Sequence, residues 1–394
     1  MKTIRIGLIG TGIIAHQHVA NNRKIPGVEL VAACDLDRAK LEAFCDQYTI
    51  PVRTTDYRKL LQRDDLDAVD VCLHNNLHAP ISNAVMAAGK NCYCEKPMAG
   101  SYKDAVAMKK AAEHFGVKLH IQLNMMYGPQ VNAAKKLVER NRLGKLYHAR
   151  SYGYRRRGRP YVDGYAEKEF NASYWAGHGA LYDMGVYHIS QLLYLMDTPP
   201  VKRISGSIYQ ELAMDEGRRK TSGFDVEELG VGLVHFEDDL TLDILESWAI
   251  HGGPFPMSSL HGSEGGLQFT ESPAGPKGPG KQVLRYFSEI EGYPAESLLD
   301  VSAEAYRQSK IDPNHGYYQD SQAHWIGVLR GAIEPIDTPK IALQTMLISE
   351  GIFLSEQLKR EITADEIPEL SQSIAVRQQE TDFGTLDYPP YPFY

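Results

Sequence analysis

Residues 4–15, with the sequence IRIGLIGTGIIA, determine the predicted fold of the first part of the chain. The apolar run Ile4–Ile9 is typical of a buried strand, and it leads directly into the pattern G-x-G-x-x-A formed by Gly10, Gly12 and Ala15. In such a unit the first glycine makes a tight turn, the second lets a pyrophosphate approach the backbone, and the small third residue permits close packing of the helix on the strand. The pattern alone is weak, but its position between a strand and a helix favours a dinucleotide-binding turn.

An acidic residue follows this turn at the expected distance. The second apolar run, Val28–Cys34, is followed by Asp35, which lies 23 residues after Gly12, near the roughly 20 residues expected for a carboxylate that binds ribose. Asp35 would accept hydrogen bonds from both ribose hydroxyls and repel a 2′-phosphate. NAD is therefore the favoured cofactor, while Arg38, three residues later, keeps NADP as the alternative.

Strand-like and helix-like segments alternate over the first 124 residues. The strand-like segments are Ile4–Ile9, Val28–Cys34, Ala68–Leu73, Asn91–Cys94 and Lys118–Leu123, and the helix-like segments are His16–Asn22, Arg38–Tyr48, His78–Ala88 and Tyr102–Phe115. Strands interleaved with helices of this length are typical of a parallel, doubly wound sheet. The sequence therefore predicts an α/β protein with an N-terminal Rossmann domain over residues 1–124 that binds NAD.

The pattern changes after Asn124. Helices are predicted at Pro129–Arg140, Ala180–Met196, Gln319–Arg330 and Ile341–Gln357, and strands at Tyr147–Tyr154, Arg203–Gln210, Glu227–Phe236, Thr241–Ile250 and Gly265–Phe269. These strands predict an α+β domain over residues 125–394 with a large, mostly antiparallel open sheet, which we expect to bind substrate and to form oligomers. Residues 271–281, rich in glycine and proline, predict an exposed loop, and the aromatic tail 385–394 predicts an extended arm on another surface.

The composition excludes several classes of protein. The chain has 394 residues, of which 43% are hydrophobic, and its net charge of −8 gives no electrostatic reason to expect a nucleic acid or an anionic membrane as partner. No apolar run approaches the roughly 18 residues that cross a bilayer. The N-terminal apolar segment reaches its glycines before a signal peptide is complete. We therefore expect a cytoplasmic protein.

The cysteines point to the same compartment. All five lie in the first quarter of the chain, and an odd number in apolar segments predicts reduced thiols. Cys92 and Cys94 are the one pair to weigh as metal ligands, but no second cysteine pair and no histidine at zinc spacing accompanies them. We therefore predict buried thiols and no metal.

A lysine follows the fourth predicted strand, in the sequence Glu95-Lys96-Pro97. Ligands of open α/β sheets bind at the carboxyl ends of the strands, where this lysine would lie. An ammonium group there is a suitable proton partner for a substrate hydroxyl. The alternative interpretation of Lys96 alone is a solvated surface lysine.

A second group of polar residues lies in the segment His178–His188 at the start of a predicted helix. Asp183 and Tyr187 are four residues apart and would share one helix face, whereas His188 lies about 140° around the axis. A carboxylate, a phenol and an imidazole in one turn can together deprotonate an alcohol. The alternative is a buried tyrosine with a capping aspartate.

Several stretches of the chain resemble the glucose–fructose oxidoreductase/inositol dehydrogenase/MocA (Gfo/Idh/MocA) family. These are GLIGTGIIAHQH, VAACDLD, LHNNLHAP, AGKNCYCEKPMAG and GALYDMGVYHI, and they extend to roughly residue 200. The resemblance implies a Rossmann domain followed by a C-terminal α/β domain with an open sheet, and a pyranose or cyclitol held against nicotinamide. It also implies that Lys96 is the catalytic lysine and that Asp183 orients the substrate.

The chain departs from the family pattern at three places. Where the family commonly has a histidine four residues after the aspartate, this chain has Tyr187; we predict Tyr187 as acid/base and keep His188 as the second choice. The usual Thr-Pro-Asn is Leu73-His74-Asn75 here, and the usual Asn-x-Arg is Asn124-Met125-Met126, which lacks the arginine. The predicted cofactor-binding residues are Gly10, Gly12, Ile13, Ile14, Asp35, Arg38, Leu73, His74, Asn75, His78, Glu95, Lys96 and Asn124.

A basic loop could supply the missing cation. It contains Arg155, Arg156, Arg157 and Arg159, and arginine forks suit carboxylates, sulfonates and phosphates. Arg157 and Arg159 are therefore candidate contacts for an anionic substrate, with a solvated or subunit-contact loop as the alternative. Trp248, at the end of a predicted strand, is a further candidate sugar contact.

These residues favour an NAD-dependent oxidoreductase that moves a hydride between a secondary alcohol of a sugar, sugar derivative or inositol and nicotinamide. The alternative is an NAD-dependent glycoside hydrolase that oxidises a sugar at C3, eliminates the aglycone, adds water and reduces again. A non-enzymatic NAD-linked binding protein is the third interpretation. The expected partners are a small sugar or cyclitol substrate and further copies of the chain, in a homodimer or homotetramer through the C-terminal sheet, with no nucleic acid and no membrane.

Overall fold

A parallel sheet of six strands forms the N-terminal part of the protein, in a computed structural model that describes residues 2–270, 274–275, 278–279, 282–388 and 393. The strands are β1 (Ile4–Ile9), β2 (Val28–Cys34), β3 (Val52–Thr54), β4 (Ala68–Val71), β5 (Asn91–Cys94) and β6 (Leu119–Ile121), and the helices are α1 (Ile13–Asn22), α2 (Arg38–Tyr48), α3 (Tyr57–Leu61), α4 (Asn75–Ala87) and α5 (Tyr102–Phe115). The strand order is β3-β2-β1-β4-β5-β6. This confirms the predicted doubly wound sheet.

Burial and capping explain why these segments take these forms. Five of the six residues of β1 are buried, as in a strand that helices cover on both faces. Asp37 caps α2 by accepting a hydrogen bond from the backbone N–H of Lys40. The edge strand β3 and the short helix α3 were not predicted, because the residues of β3 are only half-buried and give a weak apolar pattern.

A second, mixed sheet of nine strands forms the other layer, in the order β16-β15-β12-β11-β7-β10-β9-β8-β17. Its strands are β7 (Leu146–Tyr154), β8 (Val201–Tyr209), β9 (Leu229–Phe236), β10 (Thr241–Ser247), β11 (Ser259–Gly262), β12 (Gly266–Gln268), β15 (Val283–Ile290), β16 (Tyr293–Asp300) and β17 (Ile362–Thr363), and two small hairpins pair β13 (Ala274–Gly275) with β14 (Gly278–Pro279) and β18 (Gln378–Thr381) with β19 (Gly384–Asp387). β7 and β10 pair in parallel, and the other neighbours are antiparallel. The predicted mostly antiparallel sheet is confirmed.

The remaining helices lie in the second part of the chain. They are α6 (Pro129–Glu139), α7 (Ser173–Ala176), α8 (Ala180–Asp183), α9 (Gly185–Leu195), α10 (Glu216–Ser222), α11 (Val301–Ile311), α12 (Ser321–Leu329), α13 (Thr338–Leu358) and α14 (Ile367–Leu370). α9 and α13 pack against each other and against strands of the nine-stranded sheet. Among the helices that the structure describes, none combines the length and the apolar character needed to cross a membrane.

Three features differ from the sequence prediction. The predicted helix Ala180–Met196 is two helices that meet at Met184. The strands β11, β15 and β16 and the helix α11 were not predicted; β16 is exposed at alternate residues along the outer edge of the sheet and offers little apolar signal. Most of the predicted loop 271–281 and the tail residues 389–392 and 394 lie outside the described residues.

The C-terminal part of the chain also contacts the first sheet. Trp325 and Ile326 of α12 share a buried cluster with Ile4 and Tyr93, and the Tyr93 hydroxyl donates a hydrogen bond to Ser321 Oγ at 2.9 Å. A helix from beyond residue 300 therefore belongs to the packing of the Rossmann sheet. The division of the chain at residue 124 stays a prediction.

Candidate active site

A cavity of about 840 Å³ lies at the carboxyl end of the parallel strands. Of the predicted cofactor-binding residues it is lined by Gly10, Gly12, Ile13, Ile14, Asp35, Leu73 and His74. Gly10 has φ +93°, and a Cβ there would lie 2.2 Å from the Cys72 carbonyl oxygen. Apart from its neighbours along the chain, no atom of the described structure lies within 4 Å of the Cβ position at Gly12, so a ligand can approach this backbone closely. The turn has the shape that a pyrophosphate requires.

The carboxylate of Asp35 is held at the edge of this cavity by the turn itself. Its Oδ2 accepts hydrogen bonds from the backbone N–H and the hydroxyl of Thr11, both at 2.8 Å, and its Oδ1 accepts one from the backbone N–H of Asp37 at 2.9 Å. These contacts fix the carboxylate beside the glycines, where a ribose is expected. Arg38 is exposed at the first position of α2.

Three other predicted cofactor-binding residues form hydrogen bonds to neighbouring segments of the chain. Asn75 donates a hydrogen bond to the Ala176 carbonyl at 2.8 Å, and His78 lies between the carbonyl oxygens of Pro97 and Leu73, at 2.7 and 2.9 Å. Asn124 is exposed and accepts a hydrogen bond from the Ser321 backbone at 3.3 Å. The buried positions of Asn75 and His78 indicate that they support the loops around the cavity.

A buried charged network lies behind Glu95. His18 contacts Asp70 through Nδ1 at 3.1 Å and Glu95 through Nε2 at 2.8 Å. Burial lowers the pKa of His18, but Cys72, Asp70 and Glu95 together raise it well above its ordinary value. With a carboxylate on each ring nitrogen, His18 is an imidazolium. Glu95 in turn accepts a hydrogen bond from the Lys96 backbone N–H at 3.0 Å. His18 lies in the segment after the glycine turn, and no local pattern indicates this role for it.

The predicted catalytic residues Lys96 and Asp183 form an ion pair across the two sheets. Lys96 Nζ lies 2.8 Å from Asp183 Oδ1, and the two side chains are only 13% and 19% exposed. Trp248 Nε1 donates a hydrogen bond to the other oxygen of Asp183 at 3.0 Å. Lys96 Nζ also lies 4.5 Å from the ring centre of Tyr187. The structure therefore brings Lys96, Asp183, Tyr187 and Trp248 together.

Both members of the pair are charged. Burial lowers the pKa of Lys96, but Asp183, Tyr187 and Glu95 outweigh it and hold the pKa above its ordinary value. Burial raises the pKa of Asp183, but Lys96 and the Trp248 hydrogen bond hold it below its ordinary value. The ammonium group of Lys96 can therefore donate hydrogen bonds to a further acceptor.

The break at Met184 explains how the chain presents Asp183. Asp183 is the last residue of α8 and Tyr187 lies in the first turn of α9, so they do not share a face of one continuous helix as predicted. The first turn of α8 is held by the buried Glu227, which accepts hydrogen bonds from the backbone N–H groups of Gly179 and Leu181 at 2.7 and 3.0 Å. Burial raises the pKa of Glu227 to about 7. Glu227 was not predicted from the sequence, since only the fold brings it to this helix.

His188 has a different environment. Its Nδ1 lies 3.0 Å from Glu246 Oε2, and Glu246, fully buried on β10, also accepts a hydrogen bond from Ser151 at 2.8 Å. Burial lowers the pKa of His188, but Glu246 outweighs it and raises the pKa above its ordinary value. His188 lines a second cavity of about 360 Å³ together with Asn124, Gln130 and Gln191. Tyr187 therefore contacts Lys96, whereas His188 is bound to the sheet.

The predicted arginine contacts are not alike. Arg159 is fully buried; its guanidinium forms ion pairs with Asp163 and Glu228 at 2.9 and 3.0 Å and donates to the carbonyls of Leu212 and Ala213. This geometry corrects the prediction for Arg159, because its donors are directed into the protein rather than toward a substrate. Arg157 is exposed and remains a prediction.

Two further residues lie near the ion pair: Arg155, which belongs to the predicted basic loop, and Tyr165, which was not predicted. Arg155 lies 5.0 Å over the ring of Tyr165 and hydrogen-bonds to its hydroxyl. Burial raises the pKa of Tyr165 to about 12. The charge of Asp183 also raises this pKa, whereas Arg155 and Lys96 lower it. The Arg155–Tyr165 pair is therefore close enough to act electrostatically on the ion pair. Tyr165 gave no pattern that the sequence could have used.

Residues of the second layer also line the large cavity. They include Tyr161, Glu167, Glu169, Phe170 and Trp175, and the C-terminal hairpin adds Gln379, Leu386 and Tyr388. His74, Glu167 and Glu169 each bring one possible ligand atom within 4.8 Å of the others, which is compatible with a metal ion. No spacing pattern in the sequence indicates a metal site at these residues.

Comparisons with known proteins agree with this architecture. Residues 4–123 match the model of the oxidoreductase family with an NAD-binding Rossmann fold, and residues 131–268 match the model of the Gfo/Idh/MocA C-terminal domain. The chain resembles a levoglucosan dehydrogenase, solved in complex with NADH and levoglucosan, with a TM-score of 0.77 and 18% identity over 92% of this chain and 100% of that one.

Two curated relatives are aligned over parts of their length. A D-glucoside 3-dehydrogenase of Escherichia coli is 24% identical over 63% of this chain and 71% of that protein. An inositol 2-dehydrogenase of Salmonella typhimurium is 28% identical over 38% of this chain, which spans 46%, less than half, of that relative. Together with the match of both domain models, these likenesses show that the chain belongs to the Gfo/Idh/MocA family of NAD-binding oxidoreductases.

Proposed function

We propose that the protein is an NAD-dependent dehydrogenase of a secondary alcohol in a sugar, sugar derivative or cyclitol. The observation that carries this proposal is the buried Lys96–Asp183 ion pair with Trp248 and Tyr187, at the same edge of the parallel sheet as the glycine turn. The names of the relatives, which act on a glucoside, an inositol and levoglucosan, support this class of substrate.

The large cavity fits NAD. Its volume of about 840 Å³ lies within the range of roughly 300–1,000 Å³ for ligand pockets. The open space at Gly12 suits a pyrophosphate, and the fixed carboxylate of Asp35 suits the two ribose hydroxyls. When bound, NAD supplies the hydride acceptor for oxidation of the alcohol.

The protein residues would orient the alcohol and handle its proton. Lys96 has three N–H donors, of which one is used by Asp183; the others can donate to the substrate oxygen and stabilise the negative charge that develops there. Asp183 is fixed by Lys96 and Trp248 and orients the hydroxyl. We assign the proton acceptor to Tyr187, because its ring contacts Lys96 while His188 is engaged with Glu246.

The test is a screen of sugars, glycosides and inositols that follows both NADH absorbance and product mass. Net formation of NADH together with a product two hydrogens lighter supports the dehydrogenase. A wild-type protein that binds NAD but oxidises none of these alcohols, while Lys96→Ala behaves identically, would overturn the proposal.

A second candidate function is the glycoside hydrolase that uses NAD catalytically. The observation that favours it is the position of Gln379, Leu386 and Tyr388 in the wall of the cofactor cavity. A cofactor held between two distant parts of the chain suits a cycle in which oxidation and reduction occur in one active site. Release of an aglycone without net NADH in the same screen would identify this reaction.

We further propose that the protein acts in the cytoplasm as a homo-oligomer assembled through the nine-stranded sheet. All five cysteines are free and buried, which supports a reducing compartment. The half-buried apolar residues Val231 and Leu245 and the more exposed Leu233 lie together in a surface depression of this sheet. Light scattering on the purified protein tests the homo-oligomer, and a monomer would overturn that statement. Cell fractionation tests the location, and recovery outside the cytoplasm would overturn it.

A further inference from the structure

The C-terminal hairpin is an element of the cofactor cavity that the glycine motif and the family models do not include. The matched domain models end at residue 268, whereas the hairpin comprises residues 378–388. Three of its residues, Gln379, Leu386 and Tyr388, line the same cavity as Asp35 and Tyr57. The wall beside the ribose carboxylate is therefore built from two distant parts of the chain.

The segment leading to the hairpin is fastened to the Rossmann domain. The buried Asp104 of α5 accepts hydrogen bonds from the Ser373 hydroxyl at 2.6 Å and the Ile374 backbone N–H at 3.0 Å. Val376 is buried, and its backbone N–H donates to the Asn76 carbonyl of α4 at 3.0 Å. These contacts fasten the chain just before the hairpin to the Rossmann domain, and the Gln378 carbonyl of the hairpin accepts a hydrogen bond from the Tyr174 hydroxyl of α7 at 3.4 Å.

Within the hairpin, Tyr388 is held in a defined position. Its ring stacks on that of Tyr57, with centroids 6.0 Å apart and planes inclined by 21°. Its hydroxyl donates to Gln379 Oε1 at 3.0 Å, and its backbone N–H donates to the Arg377 carbonyl at 2.8 Å. Tyr388 and Leu386 are only 4% and 2% exposed. The ring is held rigidly, and the small part of it that remains exposed lines the cavity and offers a rigid apolar surface to a ligand.

The position of this surface indicates which part of the dinucleotide it faces. Asp35 marks the ribose of the adenosine half, and Asp35, Tyr57 and Tyr388 line one cavity. The residues of that cavity from the second layer, among them Phe170 and Trp175, lie beside His74 instead. The cavity of about 840 Å³ exists with the hairpin in place, so the hairpin lines the site rather than filling it.

We propose that Gln379, Leu386 and Tyr388 of this hairpin form part of the adenosine-binding site, with Tyr388 as its main contact, and that the hairpin slows the release of the bound dinucleotide. This inference rests on NAD binding in the large cavity and is independent of the substrate. Binding energy would come from burying the adenine against Tyr388 and Leu386. Slow release follows because the dinucleotide leaves past a wall that is fastened at Asp104 and Asn76.

The experiment compares two halves of the cofactor on the full chain. AMP represents the adenosine half and NMN the nicotinamide half. In Tyr388→Ala we expect the dissociation constants of AMP and NADH to rise by roughly 5- to 20-fold, from loss of an aromatic contact and its buried area. NMN affinity should stay unchanged, and NADH release in stopped-flow fluorescence should accelerate by a similar factor.

Two further variants separate a contact from a general loss of structure. Tyr388→Phe keeps the ring and should retain AMP affinity within about twofold, since only the hydrogen bond to Gln379 is lost. Phe383→Ala changes an exposed residue at the tip of the hairpin and should alter nothing. Equal AMP affinity and equal NADH release in Tyr388→Ala and wild type would overturn the proposal.

A measurement on the unmodified protein covers the case in which Tyr388→Ala does not fold. AMP should protect the backbone amides of residues 378–388 from hydrogen exchange, whereas NMN should not. Absence of protection by saturating AMP contradicts the proposal. A wild-type protein that binds neither AMP nor NADH would instead contradict NAD binding itself, so the two failures are distinguishable.

Discussion

The cofactor half and the substrate half of the site are built by different means. The cofactor half depends on backbone shape: one turn at Gly10–Gly12 and one carboxylate, Asp35, which the same turn holds in place. The substrate half depends on side chains that meet from distant segments, with Lys96 after β5, Asp183 at the end of α8 and Trp248 after β10. A local motif can encode the first, whereas only the complete fold assembles the second.

The largest expected effect tests the substrate half. Lys96→Ala should lower turnover by about 10²- to 10⁴-fold, the usual contribution of an acid–base group, and leave the dissociation constant of NAD nearly unchanged. Steady-state kinetics and NADH fluorescence titration measure the two quantities. Lys118→Ala, at an exposed position of the same domain, is the control. A near-normal rate would reduce Lys96 to a structural residue.

The next comparison decides between the two neighbouring candidates for the proton acceptor. Tyr187→Phe should lower kcat by about 10- to 100-fold, because it removes the hydroxyl from the ring that contacts Lys96. His188→Gln should cost less turnover, since the imidazole is held by Glu246. A larger loss in His188→Gln would make the imidazole the proton acceptor.

The sequence anticipated these two halves to different extents. Gly10, Gly12 and Asp35 were found because their spacing is fixed by a single strand–turn–helix unit. The prediction that Tyr187 lies beside Asp183 assumed one continuous helix. The helix is interrupted at Met184, and the two residues meet because both contact Lys96.

The missed residues share one cause. Glu227 holds the first turn of α8, and Glu246 holds His188. In each contact the two residues lie 46 to 58 positions apart along the chain. A buried carboxyl group needs hydrogen-bond partners, and here these partners are distant in sequence, so no local pattern reveals them. Arg159 is the opposite case. The run of arginines predicted an exposed loop, but Arg159 is buried and forms ion pairs with two carboxylates.

A single methyl group tests the cofactor half. Gly12→Ala should leave the melting temperature of the protein without ligand nearly unchanged, since φ is −72° and the Cβ position is open. It should raise the dissociation constant of NAD by about 10- to 50-fold, because the methyl group occupies the space that the pyrophosphate needs. Thermal unfolding and fluorescence titration measure both.

Gly10→Ala is the matched comparison for this variant. Its Cβ would lie 2.2 Å from the Cys72 carbonyl oxygen. We therefore expect a lower melting temperature already in the protein without ligand. Unchanged NAD affinity in Gly12→Ala would show that the dinucleotide does not approach this turn.

A smaller effect concerns the choice of cofactor. The unmodified protein should bind NADH more tightly than NADPH, because the carboxylate of Asp35 would face the 2′-phosphate across a short gap. Asp35→Ala should narrow the ratio of the two dissociation constants by roughly tenfold. Asp37→Ala, which keeps the Asp35 carboxylate, is the control. Equal binding of both cofactors by the wild type would refute the role of Asp35.

The smallest effect is a pH dependence that originates in the substrate half. Burial raises the pKa of Glu227 from 4.5 to about 7 in the folded protein. Between these two values the folded protein holds a proton that the unfolded chain has released. The contribution of Glu227 to stability therefore declines as the pH rises from 4.5 to about 7, and its full cost is present above that range.

Glu227→Gln should remove this dependence, because the amide stays neutral and its oxygen can still accept hydrogen bonds from Gly179 and Leu181. Urea unfolding of both proteins at a series of pH values gives the difference in unfolding free energy, variant minus wild type. This difference should rise with pH across the window and then become constant. The exposed Glu237→Gln provides the control. A flat difference would mean that Glu227 is ionised throughout, with the N–H groups at the start of α8 sufficient to hold a carboxylate; the substrate half would then tolerate a buried charge without cost.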